Sequence, residues 1–256
     1  MKLYDSAMAP NPRRVRIFMA EKGVDYENIQ IDIIKGENLD ETFLAVNPRG
    51  LLPTLVLDDG TVIDETVAIC RYIEETHPEP PLLGTDAVSK AHIEARQRHM
   101  EFDGLLGAAD AFRNSFPGFS SRGLAGNAGS VDAIPALAER GKNTVLRFYE
   151  SLDTALGSST FIAGDSFSIA DITALCTIDF ATGAARVPIP EHCANVQRWH
   201  AEVSTRPSAE AERRGSITSF RANALTYPYR RRPGAFLYSS WITSSGRDTR
   251  PNSIPR

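Results

Sequence analysis

Apolar and polar positions follow two different periods over the first 76 residues of the chain. Four short segments have the alternation or the apolar content of β-strands: residues 2–5, 26–33, 55–57 and 62–63. Three segments place apolar side chains at helical spacing: residues 12–22, 42–46 and 65–75. The run Asp58-Asp59-Gly60 is typical of a hairpin turn. The predicted order is βαβαββα, which describes a small α/β domain with a mixed sheet.

A proline-rich segment separates this first pattern from a second, purely helical one. The run Pro78-Glu79-Pro80-Pro81-Leu82-Leu83-Gly84 is the clearest linker in the chain. Helical periodicity then recurs in four segments: residues 87–115, 131–156, 169–185 and 192–204. The sequence therefore predicts four regions, which are an α/β domain at 1–77, a linker at 78–86, an all-helical domain at 87–215 and an atypical tail at 216–256. For the tail, disorder and an extended wrap over the body both remain open.

Charge is distributed unevenly along the chain. The net charge is −4, yet residues 217–256 contain seven arginines and a single acid, Asp248, so the rest of the chain is strongly acidic. An acidic body argues against nucleic acid as a partner, because duplex binding depends on neutralising phosphates. The basic tail by itself is only weak evidence for nucleic-acid binding.

The apolar segments and the cysteines indicate the cellular location to expect. No apolar segment is long enough to span a bilayer, and the N-terminus passes directly into a strand pattern without a secretory apolar region. The three cysteines, Cys70, Cys176 and Cys193, are widely spaced and lack metal-ligand spacing. We therefore expect reduced thiols, no bound metal and no membrane association, in a cytoplasmic protein.

Two neighbouring motifs have the chemistry to grip a peptide-like ligand. The run Leu51-Leu52-Pro53 leads into the third predicted strand, and Asp64-Glu65-Thr66 opens the third predicted helix. Glu65 has the charge to hold an ammonium group, while the Thr66 hydroxyl and the free N–H groups of a helix start suit a carboxylate. Helix capping alone is the alternative role of this acid and hydroxyl.

Together with Arg13-Arg14-Val15-Arg16, these motifs resemble the glutathione-binding domain of the cytosolic glutathione S-transferases. The resemblance covers about residues 1–215 and implies a thioredoxin-like fold in which Pro53 follows a cis peptide bond. It implies that the backbone of Leu52 pairs with glutathione, that Glu65 and Thr66 hold the γ-glutamyl group, and that Lys35 contacts the glycyl carboxylate. A solvated role remains open for Lys35, and a structural role is expected for Arg14 and Arg16.

The resemblance also exposes a missing activator. Glutathione reacts as a thiolate, whereas an unperturbed thiol has a pKa near 8.5. Many classes of the family place Ser, Cys or Tyr at the start of the first helix, but here the corresponding position holds Ala9. The pattern is most similar to the bacterial and yeast-like class without such a residue. Ser6, Asn11 and, from the helical domain, Asn114 are the candidate catalytic residues, although relatives often have His near Asn114.

The expected function is a glutathione S-transferase acting in detoxification, with glutathione as co-substrate and no metal. The second substrate would be an electrophilic, largely apolar molecule in a cleft lined by the first loop and residues 100–120. Relatives form homodimers through segments equivalent to 65–76 and 90–110, so a homodimer is expected. Two alternatives remain: a glutathione-dependent isomerase of the maleylacetoacetate type, whose Ser-Ser-Cys run is absent here, and a non-catalytic glutathione-binding or scaffold protein, which Ala9 and Asn114 favour.

Overall fold

A computed structural model describes residues 1–213 and 217–219 of the chain. One mixed sheet forms in the order β4-β3-β1-β2-β5. Its strands are β1 (Lys2–Asp5), β2 (Glu27–Gln30), β3 (Thr54–Val56), β4 (Val62–Asp64) and β5 (Ile217–Ser219). β1 is parallel to β2 and antiparallel to β3, and β3 forms an antiparallel hairpin with β4. The predicted βαβαββα order is confirmed, and the sheet gains a fifth strand from the tail.

Eight α-helices are found among the described residues. They are α1 (Pro10–Glu21), α2 (Glu41–Leu44), α3 (Thr66–Thr76), α4 (Ala87–His99), α5 (Leu106–Arg113), α6 (Pro135–Leu156), α7 (Ile169–Gly183) and α8 (Ala194–Ser204). A π-helical segment, Met100–Leu105, joins α4 to α5, so the single helix predicted over 87–115 is interrupted. Three short 3₁₀ segments complete the set: Glu37–Leu39, Pro117–Phe119 and Pro207–Arg213. None of these helices is long and apolar enough to cross a bilayer.

The start of the tail joins the sheet. Ile217–Ser219 pairs in parallel with β2, in the register Asn28↔Ile217. For the tail, the sequence leaves disorder and an extended wrap over the body both open, and for these three residues the structure shows an extended strand on the sheet. Three residues are too few to show the alternation by which a strand is recognised in a sequence. Residues 214–216 and 220–256 lie outside the described part of the chain.

The hydrophobic core is continuous from the sheet into the helices. Helix α1 packs against both α3 and α7, and eleven of the fifteen residues of α7 are buried. The start of α7 is fixed by a capping box, in which the Ser168 hydroxyl accepts the Ala170 N–H and the Asp171 carboxylate accepts the Ser168 N–H. Asp171 also accepts the indole N–H of Trp199, so the cap ties α7 to α8.

The proline-rich linker is anchored by a buried ion pair. Lys22, at the end of α1, lies 2.6 Å from the Glu74 carboxylate of α3 and donates to the carbonyl of Pro78. The same carboxylate accepts the backbone N–H groups of Leu82 and Leu83. The linker is thus held against the α/β half of the molecule by charge and by backbone hydrogen bonds. This anchoring fixes where the helical half begins.

Candidate functional site

Three of the predicted site residues adjoin strands at the same end of the sheet. The registers pair Tyr4 with Thr54 and Thr54 with Asp64. Continuing each strand by two residues brings Ser6, Leu52 and Thr66 to the same end of three neighbouring strands. Adjacent strands lie about 4.8 Å apart. These three residues therefore form a compact group at the carboxyl end of β1.

Leu52 presents a backbone without internal partners. The Leu52–Pro53 peptide is cis, as the family resemblance implies. The flanking segment is held by Asn47, whose side-chain amide donates to the Leu51 carbonyl and to the Thr54 hydroxyl, at 3.1 and 2.9 Å. Within the described residues, neither the N–H nor the C=O of Leu52 has a hydrogen-bond partner. An extended ligand backbone can pair with both groups, as an added strand does.

The start of α3 is open in the same way. Glu65 is the residue before the helix, and its side chain makes no capping bond. It lies at φ 67°, a left-handed conformation that is uncommon for a non-glycine residue and that concentrates at functional sites. Thr66 is buried, yet its hydroxyl and its backbone N–H are unpaired among the described residues. Open N–H groups and the helix dipole make this terminus suitable for a ligand carboxylate.

Arg49 belongs to this end of the sheet, although nothing in its sequence context identifies it. Its guanidinium lies 2.5 Å from Glu65 Oε1 and 3.4 Å from Asp64 Oδ2. The hydrogen bond to Glu65, followed by the charge of that carboxylate, raises the pKa of Arg49. Glu65 therefore shares its carboxylate with a cation of the chain, and a ligand ammonium would join or displace that arginine.

The first loop holds the candidate thiolate contacts. Ala9 is the residue before α1 and offers no side-chain oxygen, while its N–H bonds to the Ser6 carbonyl at 3.0 Å. Ser6 is buried, and its hydroxyl has no partner within the described part of the chain. Pro10 and Pro12 have no amide hydrogen. Since the Arg13 N–H donates to the Ala9 carbonyl, the N–H of Asn11 is the one backbone donor without an acceptor in the first turn of α1, among the residues described.

The side chain of Asn11 is oriented by a charged network. Arg14, almost fully buried, donates to Asn11 Oδ1 at 2.9 Å, to the Thr173 hydroxyl at 2.9 Å and to the Glu101 carboxylate at 2.6 Å. Glu101 lies on the π-helical segment, which is a conformation frequent at functional sites. Because the amide oxygen of Asn11 accepts from Arg14, its NH₂ group is left as the donor.

Arg16 has the structural role expected of it. Its guanidinium forms a buried ion pair with Asp5 at the end of β1. The other carboxylate oxygen of Asp5 accepts from Asn28 at 2.8 Å and from Gln30 at 2.6 Å. These contacts fasten α1 to the sheet and leave no role for Arg16 in binding a substrate.

Asn114 is engaged elsewhere. It follows the last residue of α5, where its NH₂ donates to the Asp110 carbonyl at 3.0 Å and its amide oxygen accepts the Ile134 N–H at 2.9 Å. The residue thereby joins the end of α5 to the start of α6. These contacts indicate a structural role, and they argue against the catalytic role expected from the sequence.

Lys35 lies on the surface of the loop after β2. Its ammonium group is 3.1 Å from the Asp32 carboxylate, and three-quarters of its side chain is exposed. The hydrogen bond to Asp32, together with the charge of that carboxylate, raises the pKa of Lys35. The lysine is cationic and accessible, and its contact with a ligand carboxylate stays a prediction.

An aromatic group lies on the helical side, within the segment predicted to line the second substrate. The rings of Phe112, Phe116 and Phe119 lie in mutual contact, with centroid separations of 5.1 to 5.5 Å. Phe112 and Phe116 are only half-buried. The guanidinium groups of Arg113 and Arg122 lie 4.8 and 4.6 Å from the centroid of Phe119. The group offers an apolar surface with a cationic margin.

The segment after this aromatic group reaches the α/β half. Arg122 donates to the Ile33 carbonyl at 2.8 Å, and the Asn127 N–H donates to the Arg49 carbonyl at 2.7 Å. Gly126 is close enough to the Arg49 carbonyl that an added Cβ would lie 2.5 Å from that oxygen, so only glycine fits there. The segment thus borders both the Lys35 loop and the Arg49–Glu65 pair.

The cysteines are not part of this group. All three are free thiols and buried, as expected from their spacing. Burial raises the pKa of Cys70 to about 12 and that of Cys176 to about 11. Both thiols are therefore protonated at neutral pH and unsuited to act as nucleophiles.

Comparison with known proteins identifies the family of the chain. Residues 9–76 match the family model described as the N-terminal domain of glutathione S-transferase, and residues 135–202 match the one described as its C-terminal domain. Glutathione S-transferase 2 of Saccharomyces cerevisiae is 32% identical over 212 residues, which is 82% of this chain and 88% of that protein.

Two further comparisons concern the fold and the alternative activity. The crystal structure of Gtt2 from Saccharomyces cerevisiae aligns with a TM-score of 0.75, covering 83% of this chain and all of that one at 32% identity. The maleylacetoacetate isomerase of Pseudomonas aeruginosa is 39% identical, but only over 93 residues, which is 36% of this chain and 44% of that protein.

Proposed function

The chain belongs to the glutathione S-transferase family and is a glutathione transferase, and from this premise we propose how its residues perform the reaction. Glutathione binds along the end of the sheet, and its thiolate attacks an electrophilic, largely apolar small molecule held beside the first loop. The open backbone of Leu52, next to the uncapped start of α3, is the observation that carries this proposal.

Each part of glutathione has a matching partner at the sheet end. The backbone of the cysteinyl residue pairs with the N–H and C=O of Leu52, after cis Pro53. The γ-glutamyl carboxylate accepts from Thr66, and its ammonium group lies against Glu65. The glycyl carboxylate lies towards Lys35. Arg49 sets the position of the Glu65 carboxylate and thereby the position of the ammonium.

The thiolate is stabilised by neutral donors rather than by a dedicated side chain. The Ser6 hydroxyl, the Asn11 backbone N–H and the Asn11 NH₂ group are donors here that have no acceptor among the described residues. Arg14 and Glu101 act as positioning residues, because they hold the amide oxygen of Asn11. Asn114 has no place in this arrangement, since its carboxamide joins α5 to α6.

The electrophile binds against the aromatic group of Phe112 and Phe116. Both rings are half-buried, and they belong to the segment that reaches the α/β half at Arg122 and Asn127. Apolar walls discriminate weakly between molecules of similar shape. We therefore expect a range of aromatic and aliphatic electrophiles to react, which suits a role in detoxification in the cytoplasm.

A homodimer is part of the proposal. Phe102 and Leu106, on and beside the π-helical segment, are each more than half exposed, as is Val88 on α4. Large apolar side chains exposed together on one helical stretch are typical of an interface. The stretch coincides with the segment 90–110 through which relatives are expected to pair.

Two measurements on the purified chain test the proposed function. Calorimetric titration should show glutathione binding, and turnover with a generic aromatic electrophile should follow in the same buffer. Maleylacetoacetate serves as a third arm, because the Pseudomonas aeruginosa relative is named for that isomerisation. Binding without conjugation would favour the scaffold alternative, and isomerisation that exceeds conjugation would favour the isomerase.

A further inference from the structure

Three metal-binding side chains meet on the helical half, apart from every residue assigned above to the reaction. Glu150 lies on α6, and His192 and Cys193 directly precede α8. One potential ligand atom from each of them lies within 4.8 Å of the other two. Carboxylate, imidazole and thiolate are the three ligand types that zinc takes in proteins.

The geometry requires only small movements to receive an ion. His192 Nε2 is 2.6 Å from Glu150 Oε1, while ligands of tetrahedral zinc at about 2.0–2.3 Å lie roughly 3.3–3.6 Å from one another. The imidazole and the carboxylate must therefore separate slightly, and the thiol must approach them. The side chains of His192 and Glu150 are mostly exposed and can adjust their positions, whereas Cys193 is buried.

The backbone that carries these ligands is held firmly. Asp153, one helical turn after Glu150, accepts the N–H groups of Asn195 and Val196 at 2.8 and 3.0 Å. The Cys193 N–H donates to the Pro190 carbonyl at 3.0 Å. The start of α8 is thus fixed against α6. Outer contacts of this kind orient ligands in metal sites.

The charges also favour a cation. The carboxylates of Glu150 and Asp153 both lie close enough to the Cys193 thiol to act on it through their charge. A divalent cation offsets the two carboxylates and takes the place of the thiol proton, which is released to solvent as the sulfur–metal bond forms.

We propose that Glu150, His192 and Cys193 form a site for a zinc-like divalent cation, with water as the fourth ligand. A thiolate and an imidazole exclude Mg²⁺ and Ca²⁺, which prefer oxygen ligands. This site departs from the expectation of no metal. Glu150 is 42 residues before His192 in the sequence, and the three ligands follow no metal-binding motif.

Cobalt titration of the full chain tests the site directly. The protein is stripped with a chelator and kept free of glutathione, whose own thiol binds metals. Co²⁺ should bind with a stoichiometry of one and give a thiolate-to-cobalt charge-transfer absorption, which Zn²⁺ then displaces. Cys193→Ser should abolish that absorption. His192→Ala should weaken Zn²⁺ binding by more than the roughly 10–100-fold lost when an outer contact is removed.

Matched controls separate this site from other residues of the same type. His92→Ala, an exposed histidine on α4, and Cys70→Ala, a buried thiol, should leave Co²⁺ binding unchanged. If Cys193→Ser folds poorly, His192→Ala and Glu150→Gln carry the test, with glutathione turnover as the check on folding. An absent charge-transfer band, or binding that persists in the variant lacking both His192 and Glu150, would overturn the proposal.

Discussion

Asn11 and Ser6 are the residues at which the missing activator can be tested. If Ala9 holds the vacant position, no single side chain is indispensable for ionising the thiol of bound glutathione. Each neutral donor should lower the pKa of that thiol by about one unit, or roughly 1.4 kcal/mol. Ser6→Ala and Asn11→Ala should each lower kcat/KM by about tenfold. The pKa of bound glutathione, followed by thiolate absorbance, should rise correspondingly in each variant.

Two controls accompany these substitutions. Asn114→Ala should lower the free energy of unfolding, because the side chain of Asn114 joins two helices. It should leave the pKa of bound glutathione nearly unchanged. Complete loss of activity in Ser6→Ala, with glutathione still bound, would instead make Ser6 a dedicated activator and contradict the assignment of the vacant position to Ala9.

Among the predicted binding residues, Glu65 is the one whose substitution should weaken glutathione binding most. Glu65→Ala removes a charged acceptor and should weaken glutathione binding by about 1–3 kcal/mol. The backbone at φ 67° disfavours alanine and glutamate alike, so the comparison isolates the side chain. Calorimetry gives the affinity, and Glu65→Gln is the control that keeps the shape without the charge. An unchanged affinity with an intact fold would remove Glu65 from the site.

The candidate binding residues can be recognised in the sequence because their motifs are local. Leu52-Pro53 marks the start of a strand and Glu65-Thr66 marks the start of a helix. The structure places both motifs at one end of the sheet. Arg49 and Glu101 were not predictable, because each acts through a tertiary contact. The contacts of Asn114 were not predictable for the same reason, since its partners at Asp110 and Ile134 are backbone groups without a sequence signature.

Helix α7 is the element whose stability should depend on pH. Burial is the largest cause that raises the pKa of Asp171 to about 6, against about 3.9 in an unfolded chain. A raised pKa in the folded state gives stability that is fully present below pH 4 and is lost as the pH rises through 6. The amount is on the order of 3 kcal/mol.

Asp171→Asn isolates this contribution because the variant lacks the titrating group. The free energy of unfolding of the parent minus that of the variant should fall as the pH rises from 4 to 7. Urea unfolding at several pH values measures the difference, and the other titrating groups cancel. A difference that stays flat or grows over this range would show that Asp171 has an ordinary pKa.

Helices and strands followed from periodicity, but their ends and interruptions did not. The π-helical segment depends on how Met100–Leu105 packs between α6 and α7, which no repeat in the sequence encodes. The anchoring of the linker by Lys22 and Glu74 likewise joins residues that are distant in the sequence. Such contacts are decided by tertiary packing rather than by local preference.

At the scale of the whole molecule, the basic tail should be dispensable for glutathione binding. Deleting residues 221–256 leaves every predicted binding residue and β5 in place. The affinity for glutathione should stay within about twofold, a difference of roughly 0.4 kcal/mol. Size-exclusion chromatography should show an unchanged oligomeric state. Loss of soluble protein or of binding would assign the tail a role in the fold.

The docking of the two halves on each other lay beyond the reach of the sequence. Contacts such as Arg122 with Ile33 and Asn127 with Arg49 join loops that carry no periodic signal. Gly126 gives only a faint signal of this kind, because a glycine in a loop is common. The family resemblance predicted that the halves belong together, and the structure shows which atoms hold them.

The two prolines at the start of α1 have a consequence for spectroscopy. Amide resonances report on nearby charge, but Pro10 and Pro12 give none. Asn11 stands between them with a free N–H. The backbone signal of Asn11 therefore has no amide neighbour on either side in the sequence, and it can follow the ionisation of a bound thiol. Labelling asparagine alone would turn this position into a probe of the charge on sulfur, read without any assay of turnover.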